Sequence, residues 1–312
     1  MYQLIMARIP ATLNLDRIIE VARALTSLDL HRSDAFDLRF YPPRDADVEA
    51  TYNYFIAMVA IDHRTNIGDR QFTRRIGDEI FTGSDLLWRL GMEMFNRDSS
   101  FFSPANLRRL DPTVVRDWLV GDYGPVWDYG VRAYLLRDVG SHVFRNYGTT
   151  IRLFHVSSIE ELIDRLSMMA GYEDPVRKKA YLLIKFLVLR GLLKIKPQEM
   201  KLPIDNHLTR IAYRLGIVRL EDWVLELMRR DMHLSRELDI ELRLAVRDAW
   251  DAVIRVSKLD PIAIDDFLWR LGRTICIRDK PQCDKCPLRG LCSAYARGSF
   301  INEHNHYLTY YY

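Results

Sequence analysis

The chain has 312 residues, 48% of them hydrophobic and 28% charged, enough apolar material for one large core or two smaller ones, which excludes a disordered chain. No apolar run approaches the roughly 20 residues that cross a bilayer, and the opening "MYQLIMARIPATLNLDRIIE" lacks the apolar core and cleavage site of a secretory leader, so a cytoplasmic protein without membrane contact is expected. The formal charge of +3 conceals two basic segments: residues 177 to 214 hold ten Lys and Arg against Glu199 and Asp205, and residues 273 to 297 hold six against two. Cations gathered in this way suit a polyanion, because phosphates release counterions only where positive charge clusters. The plainer alternative is a pair of solvated helix faces.

From the N-terminus onward, apolar residues recur at helical spacing in "DRIIEVARALTSL", "EATYNYFIAMVAI" and "GSDLLWRLGMEMF". A short hairpin is expected only near "DLRFYPP", since sustained alternation is lacking elsewhere. "SPANLRRL" and "DPTVVRDWL" place Pro at the first position of a helix after Ser or Asp. The Gly, Asp and Pro-rich "VGDYGPVWDYG", residues 120 to 130, is the expected crossing between lobes. In "SSIEEL", Ser158 stands three residues before Glu161 as a capping box. Helices follow in "KKAYLLIKFLVLRGLL", "NHLTRIAYRL" and "EDWVLELMRR", and Asp205 reads locally as an N-cap for the second of these. The expected fold is all-α and two-lobed, divided into residues 1–120, 121–220 and 221–312.

All four cysteines lie between positions 276 and 292, in the pattern C-x6-C-x2-C-x5-C formed by Cys276, Cys283, Cys286 and Cys292. A disulfide framework would spread its bridges over the fold, so this cluster reads as a ligand set in a reducing compartment. Zinc held by four thiolates usually brings two C-x2-C knuckles, whereas here there is one, and a [4Fe–4S] cluster is the favoured occupant with zinc as the alternative.

The four-cysteine spacing, the proline after the third cysteine in "CDKCPL" and the basic residues between the ligands resemble the iron–sulfur loop of the endonuclease III type of helix-hairpin-helix DNA glycosylase. The resemblance implies a C-terminal cluster loop over residues 273–297 and cations on it, Arg278, Lys280, Lys285 and Arg289, that meet the DNA backbone. "LPIDNHLTRIAYRLGIV" is similar to the segment carrying the catalytic aspartate in that family, which makes Asp205 the carboxylate that stabilises an oxocarbenium-like sugar or activates the nucleophile, with His207 orienting the turn. "GYEDPVRKKAYLL" is similar to the end of the family's hairpin, with Lys178 at the place of the lyase lysine and Lys179 as a DNA-binding cation, although the hairpin glycines are missing.

A second resemblance, in the order of elements across residues 40 to 220 and in "AIDDFLWRLG", is to the queuosine-salvage nucleoside or nucleotide N-glycosidases. It keeps Asp205 as the acid and adds Asp62, His63, Tyr52 and Trp269 as residues that would hold a base; for Tyr52 and Trp269 the helical spacing favours core packing. The expectation is therefore a monomeric DNA N-glycosylase of base excision repair with a possible lyase step. The alternatives are a small-substrate N-glycosidase acting on a modified nucleoside and a non-catalytic iron–sulfur DNA-binding protein. His304 and His306, in "NEHNHYLTYYY", are expected to be ligands or parts of a docked tail.

Overall fold

A computed structural model describes residues 9–312, and the reading of the first eight residues lies outside them. The described chain is mainly helical, and its strands pair only as three two-stranded antiparallel ladders. Among the described residues no helix is long and apolar enough to cross a membrane.

Two compact units divide the chain: residues up to Ser33 join Met200–Thr309, and Asp34–Glu199 joins Tyr310–Tyr312. These divisions fall elsewhere than the boundaries near 120 and 220 that composition suggests. In the first unit, Ala11–Leu13 pairs antiparallel with Val218–Leu220, tying the start of the chain to a segment about two hundred residues on. The helix Leu15–Thr26 packs on Arg236–Ser257 through Ile18, Val21 and Leu25, all essentially inaccessible. Asn206–Leu215 lies against both Arg236–Ser257 and Pro261–Thr274. Trp250 is fully buried there and donates Nε1–H to the Leu208 carbonyl at 3.3 Å, so the largest core residue leaves no polar atom unpaired.

In the second unit the helix Val48–Ala60 is buried continuously from Thr51 to Ala60, as an element apolar on all sides must be. Ser84–Arg97, Tyr129–Asn146 and Lys178–Leu189 surround it, and Phe55, Trp88 and Phe186 interlock with Tyr41 at centroid separations of 5.0 to 6.2 Å. That use of Tyr41 corrects the hairpin expected at "DLRFYPP": Pro42 and Pro43 lack the N–H donors of a ladder, and the segment turns so that the half-buried Tyr41 ring meets the aromatic cluster. The hairpin is instead Thr73–Ile76 with Glu79–Thr82, closed at Gly77, whose φ of 61° suits glycine. "VGDYGPVWDYG" is no lobe crossing either. Val120–Gly121 pairs with Gly124–Pro125 inside the second unit, and the same turn residues that would loosen a linker make a tight reversal.

Local start signals are realised as read. Pro104 and Pro112 open their helices. Ser158 accepts the Glu161 N–H at 3.1 Å, while the Glu161 carboxylate reaches back one residue farther than expected, to the N–H and hydroxyl of Ser157.

Candidate active site and cysteine loop

Buried Leu202, Pro203 and Ile204 fix the chain entering Asp205, which is extended at φ −118°, ψ −172° and caps the helix Asn206–Leu215. Its Oδ1 accepts the Leu208 N–H at 2.9 Å, and among the described residues its Oδ2 accepts no hydrogen bond. One bond therefore fixes the carboxylate's direction while the other oxygen stays available. The side chain is partly accessible.

Two buried arginines on that helix hold it to the cysteine loop. Arg210 donates to the carbonyls of Cys276 and Gly272, each at 2.8 Å, and pairs with Glu303 at 2.8 Å. Its Nη2 also meets His207 Nδ1 at 2.9 Å, so His207 does brace the turn next to Asp205. Gly272 is required for this: a Cβ there would stand 2.5 Å from His207 Cβ. Arg214, one turn later, donates to the carbonyls of Ile277, Arg278 and Ile301 at 2.8, 2.6 and 2.9 Å, to Asn302 at 2.7 Å, and to Cys276 Sγ at 3.3 Å. A guanidinium 1% exposed is tolerated only when its donors are satisfied, and here the loop satisfies them. Burial opposes ionisation of Glu303, yet Arg210 and Arg278 hold its carboxyl below the usual range.

The loop itself is two short 3-10 turns, Cys283–Lys285 and Arg289–Leu291, following the helix Pro261–Thr274. All four thiols are free and partly buried. Burial pushes the Cys286 thiol up to about 11, and Cys276, Cys292 and Cys283 add to the rise, so the four sulfurs lie within electrostatic reach of one another. Among the described residues no three His, Cys, Asp or Glu side chains converge tightly enough for a single metal ion.

In the second unit the helix Lys178–Leu189 starts after Arg177, whose φ of 64° is left-handed. Asp174 builds this turn, accepting the N–H groups of Val176 at 3.1 Å and Lys178 at 3.2 Å. A glycine hairpin would leave such donors for a phosphate; here an internal carboxylate takes them. Lys178 is 9% exposed, with Nζ 3.2 Å from the Asp62 carbonyl, and the Asp62 carboxylate accepts from Ser84 at 3.0 Å and Trp88 at 3.2 Å.

Lys179 is fully buried, its Nζ 2.6 Å from the Ala60 carbonyl and 3.4 Å from His63 Nδ1, so it presents no cation to DNA, and its expected contact with the backbone is corrected. Burial, then Lys178 and Arg132, push this amine well below its ordinary range. Burial likewise keeps the His63 imidazole neutral, helped by the charge of Arg132, so Nε2–H donates to Asp128 Oδ2 at 2.6 Å. Arg132 Nε completes the chain on Asp128 Oδ1 at 2.8 Å, and its remaining donors meet the carbonyls of Ile61 and Arg64.

Asp62 and His63 are thus assembled with the lysines. Tyr52 is core, stacked on Phe154 at 4.9 Å with its hydroxyl on the Leu192 carbonyl at 2.7 Å. Trp269, in the first unit, is 38% exposed with Arg273 4.5 Å over its ring. On the loop, Lys280 and Lys285 are exposed, whereas Arg278 pairs with Glu303 at 3.2 Å and Arg289 with Asp284 at 3.0 Å. The 177–214 segment is no cationic strip, because five of its ten cations, Lys178, Lys179, Lys185, Arg210 and Arg214, are buried. His304 docks the tail through Asp239 at 2.8 Å, and His306 turns onto the Tyr307 carbonyl at 2.7 Å. Sequence reasoning missed Arg210, Arg214, Asp128 and Arg132; the signal was there as charges four apart on otherwise apolar helix faces.

A family model described as AGOG, N-glycosylase/DNA lyase, matches residues 180–297, which include Asp205 and the four cysteines. An endonuclease III homologue of Encephalitozoon cuniculi is 30% identical over 89 residues, 28% of this chain and 28% of that protein. The transcriptional activator DEMETER of Arabidopsis thaliana is 30% identical over 129 residues, 39% of this chain and 6% of that protein. The chain thus spans under a third of the curated relatives it matches. A non-covalent endonuclease III–DNA complex aligns over 92% of this chain and 99% of that one, with a TM-score of 0.51 at 16% identity. A thermostable thymine-DNA glycosylase gives 0.51 at 13% identity, over 90% and 98%. At such identities the likeness is one of fold.

Proposed function

We propose that the chain is a DNA N-glycosylase of the helix-hairpin-helix type, removing a damaged or modified base flipped out of the duplex; the N-glycosylase/DNA lyase model over residues 180–297 and the fold shared with endonuclease III support the reading. The observation that carries this reading is the Asp205 carboxylate: Oδ1 is fixed on the Leu208 N–H and, among the described residues, Oδ2 accepts no hydrogen bond, on a helix locked by Arg210 and Arg214. A fixed carboxylate of this kind stabilises positive charge developing at C1′ as the bond to the base breaks, and accepts a proton from the water that forms the new C1′–O bond. Because the carboxylate is already oriented, little reorganisation is needed as the charge appears.

Lys178 is the candidate for a lyase step on the abasic sugar: its amine would add to the C1′ aldehyde with loss of water to give an imine, removal of a C2′ proton would then break the C3′–O bond with the 3′ phosphate leaving, and hydrolysis of the imine would return the amine. The neutral Lys179–His63 pair beneath it favours that role, since neither neighbour needs to carry a proton.

Cys276, Cys283, Cys286 and Cys292 would hold a [4Fe–4S] cluster. The spacing C-x6-C-x2-C-x5-C, with one C-x2-C knuckle rather than two, supports the cluster over zinc, and the four thiols all lie on one partly buried loop. When bound, the cluster supplies a rigid four-point link across the loop. Exposed Lys280 and Lys285 are placed on the same loop for phosphate contact, and DNA is the proposed partner of a monomer.

The test is a panel of duplexes, each with one lesion, run beside free modified nucleosides. Base release from a lesion duplex supports the reading. Release from a nucleoside without DNA would favour a small-substrate N-glycosidase, and binding without release a non-catalytic DNA-binding protein. Borohydride should trap a protein–DNA adduct if the lysine acts, and K178A should abolish it. Brown protein with roughly four irons per chain is expected from anaerobic purification; colourless protein with one zinc would contradict the cofactor.

A further inference from the structure

Three tyrosines, Tyr310–Tyr312, belong to the lysine-bearing unit, whereas the residues before them, up to Thr309, belong to the unit that carries Asp205. Tyr310 donates its hydroxyl to Glu173 Oε1 at 2.7 Å, and Tyr311 donates to the same oxygen at 3.3 Å. The two rings meet edge to face at 5.5 Å and 89°, and the Tyr310 ring stands 6.5 Å from the His63 imidazole. Glu173 adjoins Asp174, whose carboxylate takes the Lys178 N–H, so one residue links the tyrosines to the turn that starts the lysine helix.

The members of this group differ in what they leave accessible. Tyr311 and Tyr312 are 4% and 7% exposed and serve as anchors, while Tyr310 is only half-buried and Tyr134, nearby, is 56% exposed. A ring held at its hydroxyl by a carboxylate and at its edge by a second ring has lost its rotamer freedom in advance, so stacking on it costs little further ordering. Burial and the Glu173 hydrogen bond raise the Tyr310 phenol far above its ordinary range.

We infer that Tyr310 is a specificity-determining residue of the lysine-bearing site, its ring being the face on which an extruded base stacks, with Glu173 and Tyr311 as positioning residues. The inference rests on the proposed glycosylase reading. An unpaired base presents a π-face whatever its hydrogen-bonding edge, and an aromatic side chain is what compensates the stacking lost on leaving the duplex.

The full-length chain is compared with Y310F, Y310L and E173Q on the lesion duplex that wild type processes fastest. A second probe is a duplex with 2-aminopurine at the target position. Y310L should slow single-turnover base release roughly 5- to 150-fold, the range that one base–aromatic stack commands, while binding to undamaged duplex stays unchanged. Y310F, which keeps the ring but loses its bond to Glu173, and E173Q, which weakens that bond, should both fall between wild type and Y310L. Bound 2-aminopurine should be several-fold brighter with Y310L, because an unstacked fluorophore is unquenched. Should Y310L melt early, Y310F and E173Q still carry the comparison. Wild-type rates and unchanged 2-aminopurine fluorescence in Y310L would overturn this inference alone. A wild-type protein that releases no base and leaves 2-aminopurine stacked in the duplex would overturn it together with the proposed function.

Discussion

At the scale of single residues, Asp205 combines two roles that its variants separate. As a cap it satisfies the Leu208 N–H, and Asn does this about as well as Asp, whereas Ala costs about 1 kcal/mol. In urea unfolding, D205N should match wild type to within about 0.5 kcal/mol and D205A should fall by about 1 kcal/mol. Equal losses in both would mean that the carboxylate's charge, rather than its capping, supports the fold. Lys179 gives a pH prediction. In the unfolded chain its amine binds a proton up to its ordinary value near 10.5, while burial, followed by Lys178 and Arg132, keeps the folded amine neutral well below that. Between the two values the unfolded state holds the extra proton, so stability rises with pH, by up to about 1.4 kcal/mol per unit. The unfolding free energy of wild type should therefore climb relative to K179M from pH 7 to 10, and parallel curves would refute a buried neutral amine.

At the scale of elements, the helix Asn206–Leu215 is coupled to the cysteine loop through Arg214, and the coupling can be broken at one end. R214M would leave the carbonyls of Ile277, Arg278 and Ile301 without their donor, a loss of at least about 3 kcal/mol, and iron content should fall together with the denaturation midpoint. Full iron retention at wild-type stability would mean that the loop does not need the clamp. What could be read from sequence follows the same division between local and distant. The caps at Ser158 and Asp205 and the opening prolines at 104 and 112 depend on three or four neighbouring residues, and each reads correctly. Arg210 and Arg214 look like solvated charges because, His207 apart, the groups that accept their hydrogen bonds lie 62 to 93 residues farther along. Asp174 explains the missing glycines, but only once its carboxylate is seen closing the turn. The turn residues of 120 to 125 signal a reversal without saying whether a unit ends there, and it does not. The cysteine spacing is legible as a candidate ligand set because all four thiols stand within seventeen positions of one another.

At the scale of the whole molecule, the distribution of charge limits how the chain can hold DNA. Of the cations in the two basic segments, only Lys194, Lys196, Lys280, Lys285, Arg289 and Arg297 are fully exposed. Six phosphate contacts from these segments correspond to a log–log salt dependence of about −5, and a measured slope near −10 would mean that exposed cations outside the two segments also meet phosphates. On the proposed reading, what the backbone contacts leave to be explained is the fate of the extruded base, which returns the question to the carboxylate at the head of the clamped helix. The most direct measurement is free base released from lesion-bearing duplex by wild type and by D205N in single turnover, detected by mass, with duplex affinity measured in parallel. The expected result is release by wild type and none by D205N at equal affinity. Release by D205N at the wild-type rate would contradict the central claim.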